Sequence, residues 1–114
     1  MNSVMDDHEL LREYVGSESQ EAFRELVDRH LPMVYSTARR LVGDAHLAEE
    51  VAQEVFATLA QKGATITVVQ VVGGWLYHTA RNLALHAIRS EQRRREREQT
   101  AASMQALHSL EAVS

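Results

Sequence analysis

Apolar positions recur along this chain at three- and four-residue intervals from about Leu10 to Ile88, the period of helices that bury one face. Four segments can be separated. A short first helix carries Leu10, Leu11, Tyr14 and Val15 inward, with Asp6 or Asp7 as its cap and Gly16 as its end. Ser17 followed by Gln20 is a capping-box pattern opening a second helix. Its apolar side runs through Ala22, Phe23, Leu26, Val27, Leu31, Val34, Tyr35, Ala38, Leu41 and Val42, and Gly43 stops it. Pro32 inside that run predicts a kink or a brief break, because proline lacks the amide donor and its ring clashes with the carbonyl of Asp28. Asp44 caps a third helix whose core face is Leu47, Ala48, Val51, Ala52, Val55, Phe56, Leu59 and Ala60, closed by Lys62-Gly63.

Residues 63–74 differ in kind. Thr65, Ile66, Thr67, Val68, Val69, Val71 and Val72 are β-branched and favour extended chain, yet no second such run exists to pair with them. They read as an ordered loop ending in Gly73-Gly74, which releases a long fourth helix at about Trp75. On that helix Leu76, Ala80, Leu83, Ala84, Ala87 and Ile88 form the buried stripe, while His78, Arg81, Asn82, Leu85 and Arg89 point away. Beyond Arg97 the apolar side thins to that of a frayed helix or linker. The pattern predicts an all-α fold, a compact bundle of about four helices in residues 1–97, with residues 98–114 leading towards a further domain.

Composition narrows the class. Hydrophobic residues make up 45% of the 114, enough for one modest core, and no apolar run is long enough to span a membrane. The first residues, Met1 to Glu13, are acidic and polar, unlike a signal peptide. There is no cysteine, which excludes disulfides and thiolate metal sites and suits a cytoplasmic protein. The net charge of −4 conceals an asymmetry. Residues 1–60 carry twelve Asp or Glu against five Arg, whereas residues 61–114 carry seven Lys or Arg against four Glu. Two surfaces with different partners are implied, a basic one for phosphates and an acidic one for a basic protein.

Enzymatic chemistry has little footing. The six histidines show no zinc-protease spacing, and His78 and His86 lie two helical turns apart, too far to share a metal. No phosphate-cradling glycine loop is present, and neither catalysis, a metal nor a cofactor is expected. Two surfaces carry more information. Glu50, Gln53 and Glu54 form an i, i+3, i+4 spot on the third helix, an anionic and amide-bearing face on which a basic helix could dock. On the fourth helix Trp75 and Tyr77 precede Arg81, Arg89, Arg93, Arg94, Arg95 and Arg97. Aromatics beside arginines stack unpaired bases while guanidinium groups hold phosphates. Trp75 reads as a core anchor and Tyr77, off the stripe, as the contact residue.

Three stretches, Glu21-Ala-Phe-Arg-Glu-Leu-Val, Ala48-Glu-Glu-Val-Ala-Gln-Glu-Val-Phe and Gly74-Trp-Leu-Tyr-His-Thr-Ala-Arg-Asn-Leu-Ala-Leu, in this order and spacing, resemble the second conserved region of bacterial sigma factors of the extracytoplasmic-function type. The resemblance covers roughly Glu9 to Arg97. It implies a compact helical domain that binds the RNA polymerase core and recognises and melts the minus-ten promoter element, the polymerase supplying the catalysis. The helix from Asp44 to Gln61 would dock on the beta-prime clamp helices through Glu50, Gln53 and Glu54. The segment 63–95 would contact the non-template strand through Arg81, Asn82 and Arg89, with Tyr77 as a stacker, and an anti-sigma factor is a further implied partner. Two departures stand out: loop 64–72 lacks the charged and aromatic residues common in the family's base-reading loop, and no helix-turn-helix for the minus-thirty-five element follows before Ser114. The competing expectation is a helical protein-interaction module with an acidic docking patch and no DNA role.

Overall fold

The computed structural model describes residues 5–66 and 70–113, so that Thr67, Val68 and Val69 of the β-branched run lie outside the described residues. It contains four α-helices, α1 (Asp7–Ser17), α2 (Gln20–Val42), α3 (Ala45–Lys62) and α4 (Val72–Val113), with one turn of 3-10 helix at Gly63–Thr65 and no strand among the described residues.

The helix ends follow from local chemistry. Asp6 caps α1 by accepting the Glu9 amide at 2.8 Å, and that hydrogen bond holds its carboxyl below the usual carboxylate range. Gly16 does not end α1. The chain turns instead at Glu18, in the left-handed region at φ 53°, with the Ser19 amide reaching back to the Glu13 carbonyl at 3.5 Å. Ser19, not Ser17, then caps α2 by accepting the Ala22 amide at 3.2 Å. The capping-box pattern points two residues too early, because a left-handed turn on a non-glycine residue leaves no sequence signal. A left-handed Glu costs roughly 1 kcal/mol that glycine avoids. Glu18→Gly should therefore raise stability by about 0.5–1 kcal/mol in urea melts, partly offset by the freer unfolded chain.

Pro32 does not break α2, which runs on to Gly43 in the left-handed region at φ 72°. One missing hydrogen bond is outweighed by the packing on both sides of it. Asp44 caps α3 as expected, accepting the His46 amide at 3.0 Å. The start of α4 is also earlier than Gly73-Gly74 suggests: Val72 is buried, and the Trp75 amide donates to the Val71 carbonyl at 2.9 Å. Burial of Val72 supplies what the two glycines lack in helix propensity.

The core is a layer of small and branched side chains between α2, α3 and α4. Leu26, Val34, Val51, Val55, Leu59, Val72 and Leu76 are fully buried. Ala38, Ala48, Ala80 and Ala84 allow the three helices to approach closely. Leu10 and Leu11 seat α1 on this layer, and the Tyr14 and Phe23 rings stand 4.7 Å apart. Four inward assignments need correction. Val15 is 43% and Leu31 41% exposed, and Leu83 and Ile88 are half-buried, because the stripe of α4 is centred on Leu76, Ala80 and Ala84. Leu85, expected on the outer face, is half-buried too.

Beyond the core α4 continues as helix to Val113, with every described side chain from Gln92 onward exposed. Of the expected frayed helix or linker, the structure has a continuous helix whose side chains pack on nothing else in the bundle. Arg94 pairs with Glu91 and, at 2.7 Å, with Glu98, and Arg95 reaches Glu91 at 3.6 Å. Such i, i+3 and i, i+4 pairs, with residues of high helix propensity, sustain a helix in water. The projection stretches the molecule to 82 Å in its longest dimension.

Candidate polymerase and nucleic-acid interfaces

The acidic patch is where its spacing placed it. Glu50, Gln53 and Glu54 are all exposed on α3, opposite the buried row Val51, Val55 and Leu59. Glu50 receives His46 Nε2 at 3.1 Å, whereas the Glu54 carboxylate has no ion-pair partner among the described residues. Beside the patch lies a feature that sequence reasoning missed. An open groove of about 820 Å³ runs between α2 and α3, lined by Phe23, Leu31, Pro32 and Tyr35 on one side and by Gln53 and Phe56 on the other. Gln53 belongs to both surfaces. The exposure of Leu31 thus gains a use, since it forms part of this wall. An apolar trough with an acidic rim matches a partner helix that has apolar anchors and flanking cations.

On α4 the expected residues divide. Tyr77, Arg81, Asn82 and Arg89 are all exposed or partly so, away from buried Ala80 and Ala84. Arg81 and Arg89 make no ion pair among the described residues and stand about 12 Å apart along the axis. Arg94, by contrast, is engaged by Glu91, which lifts its pKa above the ordinary guanidinium value and depresses that of the glutamate. The distal arginine cluster therefore presents less free charge than its composition suggests. Tyr77 is 39% exposed, its ring edge-on to His78 with centroids 5.4 Å apart.

Asn82 is distinguished from the other three by a cavity of about 440 Å³, lined by Gln70, Trp75, His78, Thr79 and Asn82. Thr79 donates to the Trp75 carbonyl at 2.8 Å, which keeps its hydroxyl on the helix. Trp75 is half-buried, packed against the core yet open to this cavity, so the core-anchor expectation holds only in part. His78 and Trp75 could have been found from sequence, since they share the helix face of Asn82 at i−4 and i−7. Gln70 could not, because the loop brings it there. A ring, an imidazole, an amide and a hydroxyl around a shallow recess suit a flat heteroaromatic group with hydrogen-bonding edges. Among the described residues no group of three or more His, Asp or Glu side chains could hold a metal ion, and no helix is long and apolar enough to cross a membrane.

A small all-helical bundle with an exposed acidic patch on one helix, and on another a recess lined by Trp75, His78 and Asn82 with exposed arginines on the same helix, has the features of a non-covalent binding domain. The sigma-70 region 2 family matches residues 26–94, more than half of the chain, and the chain belongs to that family. It is 32% identical over 72 residues to the ECF RNA polymerase sigma factor SigW of Bacillus subtilis (strain 168), a match covering 63% of this chain. The chain spans 38% of that relative's length. Among solved structures it resembles an engineered region 2 of sigmaE determined in complex with GTAAAA, at a TM-score of 0.73 and 29% identity, over 82% of this chain and 97% of that one.

Proposed function

We propose that this chain docks on the RNA polymerase core and captures the opened non-template strand of the minus-ten promoter element. The observation that carries this is the pairing of unneutralised Arg81 and Arg89 with the Trp75–Asn82 recess on one exposed helix. Arginines grip the backbone while the recess accepts an unstacked base, a division of labour suited to single strands. The likeness to a region 2 solved with GTAAAA supports it. On the other helix Glu50, Gln53 and Glu54, with the adjoining groove, receive the beta-prime clamp helices. The polymerase performs the chemistry and this chain supplies binding energy and strand selection, so no cofactor enters. Residues 1–97 act as the functional domain and residues 98–114 extend it as a helical linker. The setting is the cytoplasm, where polymerase and promoter are found, and an anti-sigma factor able to cover either surface is the regulator that family membership supports.

The salt dependence of strand binding tests the DNA half. Each phosphate no longer neutralised on a single strand lowers the log–log slope by about 0.7. Replacing Arg81 and Arg89 together with Ala should therefore flatten it by roughly 1.4. Removing Arg93, Arg94 and Arg95 should change promoter opening by the assembled holoenzyme little. An Arg81/Arg89 variant that opens promoters normally, beside a failing Arg93–Arg95 variant, would place the DNA at the other end of α4.

A further inference from the structure

Helix α1 grips both ends of the connection between α3 and α4. At the first end a Cβ built on Gly63 would stand 3.0 Å from Leu11 Cδ1 and 3.4 Å from Val15 Cγ2, so α1 packs directly on that backbone. At the second end the His8 ring reaches across 62 residues of sequence, its Nε2 donating to the Gln70 carbonyl at 2.6 Å. The neighbouring Asp7 is itself fixed on α2, accepting from His30 Nε2 at 2.9 Å and from Arg29 Nη1 at 3.3 Å. The His30 ring in turn lies over the first turn of α4, where its Cε1 would be 3.4 Å from a Cβ on Gly73. Imidazoles from two helices thus converge on the backbone of Gln70 and Gly73, and Gln70 is a wall of the recess that holds Trp75, His78 and Asn82.

We propose that His8 is a positioning residue for strand capture: through the Gln70 carbonyl it sets the wall of the recess against Trp75 and Asn82, with the Asp7–His30 pair as its brace. The inference rests on the strand-capture function proposed above and adds to it a role for α1, which carries none of the residues assigned to the strand. A half-exposed hydrogen bond of this kind adds little to global stability, because water would satisfy the freed carbonyl. Its effect falls on geometry, and binding groups held loosely by a fraction of an ångström bind more weakly even though every group is still present.

Two variants of the full chain separate positioning from mere stability. His8→Leu removes the donor and keeps bulk, whereas His8→Gln restores an N–H at similar reach. Trp75 is the sole tryptophan, so its emission and its quenching by acrylamide report on the recess without any DNA. The second readout is the affinity of the core polymerase complex for the GTAAAA hexanucleotide. His8→Leu should make Trp75 more accessible and weaken hexanucleotide binding by roughly threefold to tenfold, with core affinity and helicity unchanged, and His8→Gln should restore both readouts. Identical quenching in wild type and His8→Leu overturns the tether, whatever the strand does. Altered quenching with wild-type strand affinity, or a His8→Gln variant as impaired as His8→Leu, overturns the positioning role. Altered quenching in a protein that binds no strand even as wild type refutes strand capture itself, and the positioning role with it.

Discussion

Glu54→Lys should weaken binding of this chain to core RNA polymerase by roughly thirtyfold or more, about 2 kcal/mol, without changing its helicity. Glu54 is exposed and pairs with no cation among the described residues, so its reversal removes nothing that holds the fold. At the proposed interface the same change sets a cation against the basic helix that Glu50 and Glu54 would attract, so that repulsion replaces attraction. Gln53, one turn on from Glu50, also lines the apolar groove, so the acidic patch adjoins that groove along α3. A core-binding titration measures it, with circular dichroism as the check on folding. Unchanged affinity removes the patch from the interface.

Leu76→Ala should cost about 2–5 kcal/mol of folding stability. Leu76 is fully buried on α4, which packs against both α2 and α3. A domain of this size has of the order of 5–15 kcal/mol to lose, so the variant should be visibly less stable in urea melts. Leu83→Ala, at a half-buried position, should cost less, and Asn82→Ala little. Should Asn82→Ala prove more destabilising than Leu76→Ala, the inner and outer faces of α4 have been exchanged.

How much of this is legible in the sequence depends on whether a feature is local. Gly43 and Asp44 mark the α2–α3 junction correctly because a left-handed glycine and a capping carboxylate act within four residues. The α1–α2 junction is harder to place because Glu18 adopts the same left-handed geometry without being glycine. The start of α4 reads late, since the burial of Val72 is a tertiary fact that overrides the β-branched run and the two glycines. The acidic patch on α3 is legible because helical spacing alone gathers it. The recess around Asn82 is half legible: Trp75 and His78 share its helix face, but Gln70 and, behind it, His8 arrive through the chain's long-range path. The apolar groove is hidden for a similar reason, because Leu31 fits the inner stripe of α2 by spacing yet stands 41% exposed as part of the groove wall that α2 and α3 form together.

The central claim is that one small domain joins core polymerase to an opened promoter strand. It is tested most directly by titrating a fluorescent GTAAAA hexanucleotide into core polymerase alone, into this chain alone and into the two together. The account predicts weak binding by the chain alone, whose acidic half repels phosphates, and clearly tighter, saturable binding when core polymerase is present. Strand affinity in the mixture no greater than the sum of its separate parts would contradict it.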